Sequence, residues 1–134
     1  MTAKQLVQEF CDLMVKRDPA ALRPFLADDV VYQNAGMVPS AGIDEVMENL
    51  EGQLAMFPDC YEYRTINCVA EGDVVMNERL DALTSPDGAV HRLPVMGTFV
   101  VKEGKITRWT DYWDSGLVAK MMTGEDYSAL LPRY

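Results

Sequence analysis

The chain has 134 residues, 49% of them hydrophobic and 25% charged, which suits one soluble domain with its own hydrophobic core. Its formal net charge of -9 argues against nucleic acid as a partner, because neutralising phosphates takes clustered Lys and Arg. The same acidity argues against binding to anionic membrane surfaces.

Residues 2–17 have the pattern of an amphipathic helix. Thr2 and Gln5 form a capping box, and Leu6, Phe10, Leu13 and Met14 fall on one stripe. Asp18-Pro19 starts a short second helix, with Leu22, Phe25 and Leu26 on its apolar side and Pro24 limiting its length. Residues 29–34, DVVYQN, form a strand that places Val30, Tyr32 and Asn34 on one face. After a turn-rich loop a third helix runs from Ile43 to Phe57, its stripe made of Ile43, Val46, Met47, Leu50, Leu54 and Phe57. Four strands follow at about 61–70, 74–84, 89–101 and 105–114, separated by turns at Glu71-Gly72-Asp73, Ser85 to Gly88 and Glu103-Gly104. Pro94 implies a bulge or an edge in the third of them. A short helical turn over 115–122 and a less regular tail complete the chain.

Helices first and an antiparallel meander second is an α+β order, expected to make a single domain over 1–134. A strongly curved, mainly antiparallel sheet with the N-terminal helices packed in its concave side makes a cone with an apolar interior, a natural small-molecule site. Cys11, Cys60 and Cys68 show no metal-ligand spacing, and His91 is the only histidine, so free thiols and no metal are expected. No signal-peptide pattern and no apolar run of the ~18 residues that a span requires is visible. The expectation is a cytoplasmic protein.

The last strand reads ITRWTDYWD. Alternation puts Thr107, Trp109, Asp111 and Trp113 on one face and Ile106, Arg108, Thr110, Tyr112 and Asp114 on the other. Asp111 thus lies between two tryptophans. Apolar surroundings raise a carboxylate's pKa and make it a usable base near neutral pH; a strand-end aspartate bonded to a backbone amide is the plain alternative. In the strand over 74–84, Val75, Asn77, Arg79, Asp81 and Leu83 share a face. Arg79 can hold one carboxylate ionised and orient another, the alternative being a surface ion pair worth roughly 0–1 kcal/mol. Together with Asp111 these residues can form an Asp-Arg-Asp array, and Tyr32 and Asn34 can hold a water by hydrogen bonds.

Through YQN at 32–34, RLD at 79–81 and WTDYWD at 109–114, the chain resembles the limonene-1,2-epoxide hydrolases. These belong to the wider fold group of SnoaL-like polyketide cyclases, ketosteroid isomerases and cystatin-like, nuclear transport factor 2-like proteins. The resemblance extends roughly from Thr2 to Met122. It implies that Asp111 is a general base toward water, that Tyr32 and Asn34 hold this water, that Asp81 is the general acid toward the epoxide oxygen, and that Arg79 bridges the two aspartates. The implied reaction opens a small apolar epoxide to a vicinal diol in one step, with no covalent intermediate, metal or cofactor. Leu83, Leu93, Val95 and Trp113 are the implied pocket wall, with Leu54 and Phe57 beside them. A homodimer is implied as well. An isomerase or cyclase of the same fold, or a binding protein without chemistry, is the competing reading.

Overall fold

The computed structural model describes residues 1–134. Helix α1 (Ala3–Asp12) continues as a tighter 3-10 turn over Leu13–Lys16, and α2 (Pro19–Leu22) likewise into Arg23–Phe25. Strands β1 (Leu26–Asn34) and β2 (Ser40–Ala41) precede α3 (Ile43–Met56). Strands β3 (Asp59–Glu71), β4 (Val74–Thr84), β5 (Val90–Lys102) and β6 (Lys105–Tyr112) follow, then α4 (Ser115–Met122). One sheet results, in the order β2-β1-β6-β5-β4-β3. Only the β1–β6 pairing is parallel. This is the expected α+β architecture, a curled, mostly antiparallel sheet with helices on one side.

The expected capping box forms reciprocally: Gln5 N–H donates to Thr2 Oγ1 at 3.1 Å and Thr2 N–H to Gln5 Oε1 at 2.8 Å. The first helix does not stay α-helical to residue 17. It tightens after Asp12 and stops at Arg17, whose backbone is left-handed at φ 51°. Val7, Phe10, Leu22, Val30, Val46, Val75, Phe99 and Ile106 are fully buried between the helices and the concave sheet face. Trp109 is the hub. It packs edge-on against Phe10 at 5.1 Å and stacks on Tyr32 at 4.0 Å and on Phe99 at 6.0 Å. Removing an aromatic side chain from such a site typically costs about 3–5 kcal/mol.

Two sequence expectations need correcting. Simple alternation placed Ile106 on the face opposite Trp109. The ladder instead pairs Val100 with Arg108 and Val101 with Ile106, leaving Thr107 as an extra residue. This bulge returns Ile106 to the core, 0% exposed. The strand also ends at Tyr112, and Asp114 instead caps α4, its Oδ1 accepting from Leu117 N–H at 2.9 Å.

Pro94 makes no bulge, since β4 and β5 pair without a register shift from Val74↔Val100 to Thr84↔Val90. It stands on a local edge: β6 pairs with β5 only from Met96 onward, so residues 90–95 have no strand on that side, and a proline sacrifices no ladder bond there. The next donor on this edge, Arg92 N–H, is met by the Tyr127 hydroxyl at 3.0 Å. The C-terminal segment also returns to the convex face, where the Tyr134 ring lies 5.6 Å from the Arg64 guanidinium. No helix is long and apolar enough to cross a membrane.

Candidate active site

Register builds the site. Asn77 on β4, Gly97 on β5, Asp111 on β6 and Asn34 on β1 are successive cross-strand partners. Arg79 and Asp81 follow Asn77 at intervals of two, so all three side chains of β4 point to the concave side. Asn77, Arg79, Asp81 and Asp111 are each no more than 5% exposed.

All five N–H donors of the Arg79 guanidinium are used. Nε and Nη2 grip Asp81 at 3.1 and 3.0 Å. Nη1 and Nη2 reach the two oxygens of Asp111 at 3.2 and 3.1 Å, and Nη1 also donates to Asn77 Oδ1 at 3.0 Å. The Tyr63 ring lies against the guanidinium at 4.7 Å. A buried charge is tolerable only with this degree of pairing.

The two aspartates are not equivalent. Asp111 accepts a further bond from the Trp109 indole N–H at 2.9 Å, so three donors converge on it, an arrangement that suits an ionised carboxylate. Asp81 accepts from Arg79 alone. Burial raises its pKa to about 6, with Arg79 pulling it down and the Asp111 charge pushing it up. Two neighbouring carboxylates with environments this different are suited to opposite proton-transfer roles.

Beside Asp111, the Tyr32 hydroxyl donates to Asn34 Oδ1 at 3.3 Å and accepts from Gln53 Nε2 at 3.0 Å. Burial, then the nearby Asp111 charge, lifts the phenol well above its ordinary pKa, so it stays protonated. Gln53 is held in turn by Asn49 at 2.8 Å, four residues back on α3, and Asn49 by Ser40 Oγ at 3.0 Å. The Trp113 indole donates to Asn34 Oδ1 at 3.0 Å. An indole can only donate, so it fixes the Asn34 amide with its oxygen toward Trp113 and its NH₂ free for another acceptor.

These groups line a cavity of about 470 Å³, most of whose wall is hydrophobic. All six residues proposed from the sequence as its wall, Leu54, Phe57, Leu83, Leu93, Val95 and Trp113, line it, as do Tyr32, Asn34, Asp81 and Asp111. Arg79 lies beneath the surface, 0% exposed. A depression of about 610 Å³ elsewhere, lined by Arg23, Asp28, Lys102 and Lys105 among others, is open and charged and contains none of the array.

Four contributors were missed in the sequence. Trp109 is a hydrogen-bond donor to Asp111 as well as core. Asn77 completes the arginine's set. Gln53 holds Tyr32, and its spacing of four from Asn49 beside the apolar stripe of α3 was the available signal. Gly97 supplies space: a Cβ there would meet Arg79 Nη1 at 2.3 Å, Asn77 Oδ1 at 2.7 Å and Asp111 Oδ1 at 3.0 Å. A glycine inside a strand marks such a close approach.

The SnoaL-like domain model matches residues 7–109, a span that includes Tyr32, Asn34, Arg79 and Asp81 and ends two residues before Asp111. Epoxide hydrolase EphG of Mycobacterium tuberculosis is 30% identical over 111 residues, which is 81% of this chain and 70% of that protein. A solved LEH-like epoxide hydrolase from M. tuberculosis superposes with a TM-score of 0.73 at 27% identity, covering 92% of this chain and 96% of its own. An NTF2-like protein of unknown function from Burkholderia pseudomallei superposes with a TM-score of 0.79 at 18% identity, covering 92% and 99%. At that identity the likeness speaks for the fold alone.

Proposed function

Since the chain belongs to the SnoaL-like domain family, we propose that it is a cofactor-independent epoxide hydrolase of the limonene-1,2-epoxide type. Its substrate is a small, apolar, cyclic or terpene-like epoxide, and its product a vicinal diol. The observation that carries this reading is a single arginine gripping two unequal aspartates at the floor of an apolar cavity. The 30% identical relative named an epoxide hydrolase supports it.

The steps follow from the donors and acceptors. A water beside Asp111 donates one proton to its carboxylate, accepts from the free NH₂ of Asn34, and meets the Tyr32 hydroxyl. As Asp111 takes the proton, the water oxygen attacks one epoxide carbon. The carbon–oxygen bond on that carbon breaks, and protonated Asp81 delivers its proton to the departing ring oxygen. One C–O bond forms and one breaks. Asp111 ends protonated and Asp81 ionised, and proton exchange through solvent resets them. Arg79 holds both carboxylates in place throughout. General acid and general base terms are each typically worth about 10²–10⁴-fold, and fixing water and epoxide in line adds to them.

The test is a panel of cyclic and terpene epoxides, with the diols resolved by chiral separation, and a single turnover in ¹⁸O water. Label is expected to enter the diol directly. Label found first in an enzyme carboxylate means a covalent intermediate and refutes the one-step mechanism. A folded protein inactive across the panel leaves an isomerase, a cyclase or a binding protein as the better reading. The protein is expected to act as a homodimer, for which the exposed Val69, Met76, Met96 and Tyr112 on the convex sheet face offer apolar surface.

A further inference from the structure

One charged side chain in the cavity wall has no part in the steps above. Arg17 is the only lysine or arginine that lines the cavity. It pairs with no carboxylate, the ion pairs being Arg23–Asp44, Arg79–Asp81 and Arg79–Asp111. The chain has 21 acidic residues against 12 basic ones, so an acidic partner would have been easy to supply. Its Nη1 donates to Met14 O at 3.3 Å, and its Nε is buried with no partner at all. A buried donor left open is costly unless something fills it. Its backbone is left-handed, shared only with Glu103 among non-glycine residues. Glycine, and among other residues Asn or Asp, is the usual occupant of that conformation, so an arginine is an uncommon choice there.

The position of Arg17 is set by its neighbours. The 3-10 turn that ends at Arg17 packs against β3, the strand of Cys60, and Arg17 shares the cavity wall with Asp81, Leu83 and His91. Cys60, Leu83 and His91 are cross-strand partners in one row over β3, β4 and β5. This row lies two residues along β4 from Asp81, about 7 Å. Nε is covered, but Nη2 makes no bond and keeps accessible surface beside Nη1, and the two Nη atoms of a planar guanidinium set against apolar wall match a carboxylate held through two oxygens.

We propose that the apolar, epoxide-bearing body of the substrate carries a carboxylate, and that Arg17 binds this carboxylate at the Leu83–His91 end of the cavity while the ring lies at Asp81 and Asp111. This deepens the epoxide hydrolase reading and rests on it.

The test uses a matched pair: an epoxycyclohexane with a short carboxyalkyl arm, and its methyl ester. At pH 7 the wild-type protein is expected to favour the acid over the ester by about tenfold or more in kcat/KM, most of it in KM. In Arg17→Met, shown folded by its thermal melt, the ratio of acid to ester should fall to near one, and Arg17→Lys should restore part of it. Equal kcat/KM for acid and ester in the wild type overturns the proposal. So does an Arg17→Met variant that slows both substrates alike and shifts the pH profile of the ester, because Arg17 would then act on Asp81. Calorimetric titration with cyclohexanepropanoate, which has no epoxide, separates the two readings. Binding lost in Arg17→Met without hydrolysis of any epoxide keeps the carboxylate site and refutes the reaction. Hydrolysis of neutral epoxides without such binding does the reverse.

Discussion

Replacing Gly97 by alanine adds one methyl group at the most crowded point of the array. The new Cβ would stand 2.3 Å from Arg79 Nη1, where carbon-range contacts settle at about 3.5–4.0 Å. The guanidinium would have to move by about 1.2 Å, the difference between 3.5 and 2.3. It has nowhere to go. Arg79 is 0% exposed, and Nη1 is tied at 3.0 Å to Asn77 and at 3.2 Å to Asp111. A shift of that size breaks both bonds. Hydrogen bonds to charged groups are worth about 1.5–3 kcal/mol each, and overpacking adds about 1–3 kcal/mol. A total of at least ~4 kcal/mol lowers the melting temperature of a domain this size by roughly 14 °C. Because Asp111 loses its orientation, epoxide turnover should drop by about 10²-fold or more. Gly52→Ala is the control: it lies inside α3 with nothing within 4 Å of a new Cβ and should stabilise by about 0.5–1 kcal/mol. Calorimetry and initial rates on both variants decide the matter. If Gly97→Ala melts within a degree or two of the wild type and turns over within about twofold, the guanidinium does not occupy that space and the array is wrongly drawn.

Asp111→Asn and Asp81→Asn should each cut turnover by about 10²–10⁴-fold with the fold retained on circular dichroism; near-normal rates in either would remove that residue from the mechanism. Because burial raises the Asp81 pKa to about 6, the acid form is lost as pH rises, so turnover should decline through about pH 6. The same shift acts on stability. A folded pKa above the unfolded carboxylate value means a contribution fully present below the unfolded pKa and lost as pH rises through about 6. Melting temperatures of wild type and Asp81→Asn, compared from pH 4 to 8, should therefore converge or cross in the variant's favour toward high pH. Trp113→Phe keeps an aromatic wall but leaves the Asn34 amide held by Tyr32 alone; kcat should fall about tenfold with KM little changed, and a rise in KM alone would show that Trp113 serves only as wall.

Much of this was legible because the relevant signals are local. The capping box at Thr2 and Gln5 and the apolar stripe of α3 are written within single turns. The β4 pattern, with Asn77, Arg79 and Asp81 on the core side between Val75 and Leu83, follows from a period of two, and it placed three site residues on one face. What was not legible depends on partners distant in sequence. Trp109 and Asp111 read as neighbours on a strand, but whether the indole N–H donates to the carboxylate depends on rotamers packed by Phe10 and Phe99. The need for glycine at 97 appears only once Arg79 is known to lie across β5. Gln53 reaches Tyr32 across 21 residues of chain. Arg17 carries a positive φ that its residue type does not announce.

The extra residue at Thr107 has an effect beyond the local bend. Upstream of it, β6 supplies Ile106 to the hydrophobic interior; downstream, it supplies Trp109 and Asp111 to the cavity. With strict alternation these demands are out of phase, since 106 and 111 differ by an odd number. A regular strand of the same length, without the bulge, would have to expel either an isoleucine from the interior or an aspartate from the cavity. The insertion thus lets the two halves of one strand be selected separately, one for folding and one for chemistry. Straightening this segment without removing a residue is therefore the change least compatible with keeping both.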